Sequence, residues 1–513
     1  MDYQDAVIAF LSAPSTHEGR SVTRIDTHAS IVFLAGDRAW KLKRAVRYDY
    51  LDFSTLDRRR ACCEAEVAIN RLTAPTVYRA AVPVTREPDG SLALDGIGDA
   101  VDWVVEMTRF DESQLLSRLA ARGDLPLDLM PRLARAVAQC HEWAPRMPSR
   151  GGRAGMAWVV DGNATGFRTY GAACLDAAAC GRLTRELLAQ VAGHARLLDE
   201  RRDSGLVRRC HGDLHLRNIV RLDGVPTLFD AIEFNDDLSC IDVLYDVSFL
   251  VMDLWRQLPA HANAVLNSYL SETLDFEGLA LLPLFLSCRA AVRAKTHATA
   301  AALETDPSGQ AELHQAARRY LDLALSFLHL PVPCLVATGG WSGTGKSTLA
   351  RRLAPGLGRA PGALLIRSDE VRKQLQGVAA TTPLGPEAYA PEISRRVYGT
   401  LAARTQVALR AGHSVIVDAV FADVAERAAI ERVAHAAGVP FIGVWLEAPE
   451  AVMVDRARRR QGDASDANAA VIHGQLQADP GVVRWQRLDA SGTVEQVEAQ
   501  AVEVLRGRVR RPA

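Results

Sequence analysis

The stretch Gly340-Trp341-Ser342-Gly343-Thr344-Gly345-Lys346-Ser347 constrains the fold more than any other part of this 513-residue chain. It has the spacing GxxxxGK[ST], follows the apolar run Cys334 to Thr338, and leads into a helical pattern that opens near Lys346. Glycines let successive backbone N–H groups turn inward around an anion, and the start of the following helix adds positive potential. In a loop of this kind Lys346 reaches the β and γ phosphates of a nucleotide and Ser347 ligates Mg²⁺. Gly340, Ser342, Gly343, Thr344, Gly345 and Thr348 complete the set expected to contact ATP.

The segments around this loop fit a parallel sheet. Strand-like runs near 334 to 338, 363 to 367, 414 to 418 and 440 to 446 alternate with helical patterns, which calls for crossover helices. Ligands bind such sheets beyond the C-terminal ends of the strands. Asp369 stands there, placed to accept a proton from a substrate hydroxyl, with Arg372 one helical turn on to hold substrate or phosphoryl group. Ser368 and Asp369 equally fit a helix N-cap. Asp418 ends the next strand and is expected to support Mg²⁺, although strand-terminal Asp is also a common turn residue. Arginines in Asp455 to Arg460, before Gly462 to Ala467, suit a lid over phosphates or a solvated helix face.

A second constellation lies upstream. His211-Gly212-Asp213-Leu214-His215-Leu216-Arg217-Asn218 sets an acid and an amide five apart, and Asp230 follows a short hairpin with its turn at Asp223 and Gly224. Phosphoryl transfer needs a carboxylate to accept the hydroxyl proton and oxygen ligands for a metal that bridges phosphates. Asp213, Asn218 and Asp230 offer those groups.

Composition narrows the alternatives. Only five of the 60 basic residues are lysine: Lys41, Lys43, Lys295, Lys346 and Lys373. A net charge of -1 argues against a nucleic-acid partner. No apolar run approaches the roughly 18 residues of a bilayer span, and the first residues lack the basic start of a signal peptide. A cytoplasmic protein without membrane partners is expected. Nine cysteines without a CxxC pair read as reduced core or helix-face residues. The Gly151, Gly152 and Gly155 patch reads as a loop, Arg506 to Arg511 as a solvated tail, and Arg289, Arg293 and Lys295 as a solvent-facing set or an anion site.

Residues 334 to about 505 resemble the small P-loop kinases, and Asp369 with Arg372 matches the acid-plus-arginine pattern of polynucleotide kinases. The upstream HGDxxxxN segment resembles the aminoglycoside phosphotransferase family, relatives of protein kinases. That resemblance implies Asp213 as base, Asn218 and Asp230 as metal ligands, and His211 as the residue orienting the loop. It also implies a lysine on the third strand paired with a helix glutamate. Lys43 is favoured by the apolar residue before it, with Lys41 close behind, and Glu66 is the expected partner, with Glu64 as alternate. Val105, Glu106 and Met107 would form the adenine hinge or an ordinary strand end. Asp242 and Asp246 are expected to hold the loop.

The whole order resembles a bacterial family of fused phosphotransferase and ATP-binding proteins. It implies an α+β bilobal protein-kinase-like domain over 1 to 330, with a small lobe to about 108 and a helical lobe from about 109, joined to an α/β P-loop domain over 331 to 513. The expected activity is transfer of the γ-phosphoryl group of ATP, with Mg²⁺, to a hydroxyl of a small molecule. A nucleotide-sensing regulator, a 5'-hydroxyl polynucleotide kinase and an antibiotic-modifying enzyme stay open as alternatives, as does the oligomeric state.

Overall fold

The computed structural model describes residues 3–48, 50–459 and 464–509. Packing divides the chain into two compact units, Met1–Thr169 with Thr184–Asp253, and Tyr170–Leu183 with Leu254–Ala513.

The first unit opens with a six-stranded antiparallel sheet. Its strands lie in the order Val22–Asp26, Ser30–Ala35, Arg38–Lys43, Asp99–Thr108, Tyr78–Arg86, Leu92–Leu94. Alternation along a strand sends successive side chains to opposite faces. On the strand Arg38–Lys43, Leu42 joins a core with Ile31, Phe33, Val84 and Val104, against Val7 and Leu11 of the N-terminal helix. Lys41 and Lys43 therefore project from the other face, where the helix Leu56–Asn70 packs Cys63 and Val67 against Val105. Thr55 caps that helix by accepting from the Arg58 N–H. A buried pair, Arg59 Nε to Asp102 Oδ1 at 2.7 Å, fastens it to the central strand.

The rest of this unit is mainly helical around a short hairpin, Ile219–Leu222 with Val225–Leu228, whose left-handed turn falls at Asp223 and Gly224. The Gly152 and Gly155 patch, expected as a loop, opens the helix Gly152–Tyr170 instead. Only Gly151 and Gly152 hold the positive φ that glycine favours, and the helix continues from there.

The second unit carries a five-stranded, wholly parallel sheet in the order Leu364–Arg367, Val415–Asp418, Leu335–Gly339, Phe441–Glu447, Gln486–Asp489. Every residue of the central strand is buried, as expected of a strand covered on both faces. Helix Pro259–Thr273 covers the free edge of Leu364–Arg367. Asn263 Nδ2 donates to the Pro361 and Ala363 carbonyls at 2.9 and 3.0 Å, and Asn267 Oδ1 accepts from the Leu365 N–H at 2.7 Å. These amide side chains supply the pairing that a further strand would give. Helices Leu282–Leu303 and Pro307–Phe327 pack on each other. Arg289 is buried in this pair, so the expectation of a solvent-facing Arg289 fails: its position on the helix faces the core, with Phe285 and Cys288. Arg293 stacks its guanidinium 5.6 Å from the Tyr320 ring, and burial pulls Lys295 below the usual lysine range.

All nine cysteines are free thiols. Among the described residues, no helix is long and apolar enough to cross a membrane.

Candidate active sites

In the first unit, Lys41 Nζ lies 2.8 Å from Glu66 Oε1 and 2.5 Å from Asp230 Oδ1. Lys43 pairs with the other oxygen of Glu66 and with Glu233. The two lysines share a strand face but differ in depth: the Lys41 side chain is 15% exposed and that of Lys43 only 2%. Burial disfavours both ammonium groups, but the surrounding carboxylates outweigh it and hold Lys41 well above its ordinary range. The same competition holds Lys43 up. Burial also works against the Glu66 charge, and the two lysines reverse it, keeping Glu66 ionised. Glu233 is pushed up by burial, with the neighbouring Glu66 charge adding to it. Sequence inspection missed Glu233; its signal was an acid three residues past Asp230.

The segment around Asp230 is fixed from several sides. The Asp230 N–H donates to the Tyr78 hydroxyl oxygen at 3.1 Å, and the Ala231 N–H to Asn70 Oδ1 at 2.9 Å. Asp230 sits at φ 62°, an uncommon conformation for a residue with a Cβ and one found where a structure over-determines a functional group. The His211 ring is 2.9 Å from the Phe229 carbonyl, linking the HGD loop to the residue before Asp230. Asn218 Nδ2 donates to the Asp213 backbone and side-chain oxygens, each at 3.0 Å. Asp246 accepts from the His211 and Gly212 N–H groups at 3.2 and 2.9 Å, while Asp242 binds Arg201 through both oxygens. Asp246 thus braces the loop directly, whereas Asp242, expected to do the same, is bound to Arg201 of the helix Ala195–Asp203. His215 caps the turn Leu216–Asn218 and lies 3.3 Å from Asp213. Glu64 points away, pairing with Arg60. Glu106, expected at an adenine hinge or an ordinary strand end, lies within the strand Asp99–Thr108 and pairs with Arg38 and Arg79.

The donor set fits a metal-bound phosphate. Asp230 sets its carboxylate beside the Lys41 ammonium, and Asn218, whose amide nitrogen is bound to Asp213, has an amide oxygen to offer. A carboxylate and an amide oxygen with an ammonium are group types that hard cations and phosphates take.

In the second unit the phosphate loop follows the central strand. Gly340 and Gly343 have φ of 129° and 85°, and a Cβ at either would come within 2.4 Å of the Leu446 carbonyl oxygen or 2.5 Å of that of Met453. Backbone approach this close, with a positive φ, admits glycine alone at both positions. Lys346 Nζ reaches back to the Trp341 carbonyl at 2.9 Å and Thr344 Oγ1 to the same oxygen at 2.8 Å. The Ser342 N–H donates to Gln475 Oε1, and Thr348 follows Ser347 in the first turn of the helix Lys346–Leu353.

Ser347 Oγ lies 2.5 Å from Asp418 Oδ2, so a hydroxyl and a carboxylate from two elements meet where Mg²⁺ would be held. Arg367, which sequence inspection passed over in so arginine-rich a chain, is 3.3 Å from Asp418 and 3.2 Å from Ser347. Asp369 lies in the first turn of the helix Ser368–Leu375, and no side chain caps that helix. Burial raises the Asp369 carboxyl above the usual range, against the pull of Arg367. Arg372 Nη1 donates to the Ala388 carbonyl at 2.7 Å, and its guanidinium lies 4.6 Å from the Tyr389 ring. Arg456 reaches the Thr344 carbonyl at 3.3 Å, and Arg459 pairs with Asp455 on an exposed face. Arg460, Gly462 and Asp463 of the expected lid lie outside the described residues, as do Arg510 and Arg511 of the tail.

Known proteins match in two blocks. Residues 50–282 match the phosphotransferase enzyme family and residues 335–479 an AAA domain. An uncharacterised protein of Mycobacterium tuberculosis is 29% identical over 94% of this chain and 95% of its own length. The adenylyl-sulfate kinase of Myxococcus xanthus is 33% identical over 23% of this chain and 59% of its own. A crystal structure of a choline/ethanolamine kinase family protein from Mesorhizobium loti aligns over 64% of this chain and 99% of its own, at 14% identity and a TM-score of 0.38.

Proposed function

From a chain that joins a phosphotransferase-family, kinase-like domain to a P-loop kinase domain, we propose that each domain moves the γ-phosphoryl group of ATP to the hydroxyl of a small molecule. The observation that carries this is the completeness of both sites. Each has a lysine, oxygens that would ligate a metal, and a separate carboxylate that would take the acceptor proton.

In the first site Lys41, rather than the Lys43 preferred from sequence, is the phosphate lysine. It is the more exposed of the two and faces Asp230, whereas Lys43 is sealed behind Glu66 with Glu233. Asp213 accepts the acceptor proton, oriented by Asn218, and Asn218 with Asp230 would hold Mg²⁺. In the second site the loop amides and Lys346 bind phosphates, and Ser347 with Asp418 would hold the metal. Bound Mg²⁺ supplies charge neutralisation across the phosphates. The acceptor oxygen forms a bond to the γ phosphorus as the bond to the β–γ bridging oxygen breaks, and the acceptor proton passes to Asp213 or Asp369. ADP and a phosphate ester leave. A carboxyl raised by burial suits Asp369 to proton transfer nearer neutrality than an ordinary aspartate.

A near-zero net charge supports a small acceptor over nucleic acid. Incubating a metabolite pool with labelled ATP tests the proposal. Label that enters one product with the wild type and Lys346→Ala but not Asp213→Asn identifies the first acceptor, and the converse pattern identifies the second. No labelled product from any fraction would refute it.

A further inference from the structure

The second unit holds a buried cation that neither the phosphate loop nor the acceptor pair uses. Lys373, 1% exposed, follows Arg372 on the helix Ser368–Leu375. Its Nζ lies 2.7 and 2.6 Å from the two carboxylate oxygens of Asp466 and also donates to the Thr382 carbonyl. Three ammonium donors thus meet three acceptors, which an ammonium satisfies and a planar guanidinium does not reproduce. Asp466 Oδ2 accepts in addition from the Tyr389 hydroxyl at 2.8 Å and from the Leu384 N–H at 3.3 Å.

This one carboxylate touches both acceptor-side residues through its neighbours. Ser465, adjacent to it in the chain, faces Asp369 and favours its ionised form. Tyr389 presents its ring to the Arg372 guanidinium. An exposed ion pair would fix little. Here the lysine is sealed while Asp466 keeps 17% of its side chain exposed, so parting the pair strands the Lys373 ammonium away from water.

We propose that Lys373, Asp466 and Tyr389 form a latch that positions Ser465 against Asp369 and the Tyr389 ring against Arg372. They are positioning residues for proton transfer and acceptor binding in the second site. This rests on Asp369 as that site's proton acceptor. Ser465 favours the ionised carboxylate that must take the proton, opposing the burial that disfavours it.

The test uses the full chain in an Asp213→Asn background, so that Mg²⁺-ATP turnover with water as acceptor reports the second site. Lys373→Met and Asp466→Ala are expected to free the Leu384 amide to exchange with solvent. They are also expected to lower turnover about ten- to a hundredfold through misplacement, without changing affinity for a fluorescent ATP analogue. Ser465→Ala leaves the ion pair in place and the Leu384 amide protected. It moves the acid limb of the pH–rate profile to higher pH, since Asp369 loses a donor to its charged form. A merely structural role would not move that limb. The proposal is overturned if Leu384 stays protected in both latch variants, or if the Ser465→Ala profile coincides with its parent. Asp369→Asn in the same background separates the two readings: if turnover persists at the parent level, Asp369 is not the proton acceptor, and Leu384 exchange alone decides the latch.

Discussion

Lys41 and Lys43 divide one carboxylate, each taking a different oxygen of Glu66. Glu66 is fully buried, and the second lysine is itself tied to Glu233, so the helix Leu56–Asn70 and the segment after Asp230 are joined through a chain of charges. The two lysines should separate cleanly on mutation. Lys41→Met is expected to cut first-site turnover by about two orders of magnitude or more, as loss of a phosphate-facing cation does, with little change in stability. Lys43→Met strands Glu233 in the interior and leaves Glu66 with Lys41 alone, and should cost about 3–5 kcal/mol in chemical denaturation. Equal stability of the two variants would contradict the assignment.

Asp369 should trade stability for function. Its carboxyl is raised by burial, so the folded state holds its proton more tightly than the unfolded chain does. That contribution is present at low pH and is lost as pH rises through the folded value. Asp369→Asn is therefore expected to melt higher than wild type at neutral pH and to converge with it in acid, while second-site turnover falls. Thermal scans at several pH values check the sign.

His413 gives the second unit an acid limit. Burial, with the Arg359 charge adding to it, pushes its imidazole down to about 4, and its ring meets the Leu279 carbonyl at 3.1 Å. A depressed histidine is neutral in the fold, so the stability it permits is complete above the ordinary histidine range and drains away as pH falls toward 4. His413→Gln should flatten that part of the stability profile. A profile unchanged by the substitution would show that other groups set the limit.

Asn267 reaches the strand that leads into Asp369. Its Oδ1 takes the Leu365 N–H, and four residues on, the Ser271 carbonyl accepts from Gln374 Nε2 at 2.9 Å. Asn267→Ala leaves a partly buried strand amide without its acceptor and is expected to destabilise the chain by about 1 kcal/mol. First-site turnover should stay intact while second-site turnover drops. Urea denaturation and the two separate activities read this out.

Much of this architecture was legible in the residues. The phosphate loop, the strands around it and the HGDxxxxN hairpin announce themselves because backbone geometry demands glycine, period-2 burial demands apolar runs, and metal chemistry demands oxygen ligands at fixed spacing. The fold class, a kinase-like domain followed by a parallel P-loop sheet, follows from those features and stands in the structure. Depth was not legible. Lys41 and Lys43 lie two apart on one face, and only the packing of Phe53, whose ring centre is 5.2 Å from Lys43 Nζ, shows which is sealed. Long-range partners were equally hidden: Glu233 is 190 residues from Lys43 and Asp466 is 93 from Lys373, and no local pattern encodes such pairings. Lys295 keeps no assigned role, whereas Lys373 gains one from its burial.

On the function proposed, Asp213 and Asp369 each serve a separate transfer. The most direct test measures labelled phosphoryl transfer to the acceptors found for each site, using Asp213→Asn, Asp369→Asn and the double variant. Each single substitution should remove one product and leave the other at its wild-type rate, with ATP binding retained, and the double variant should make neither. Full formation of both products by the double variant would contradict the account.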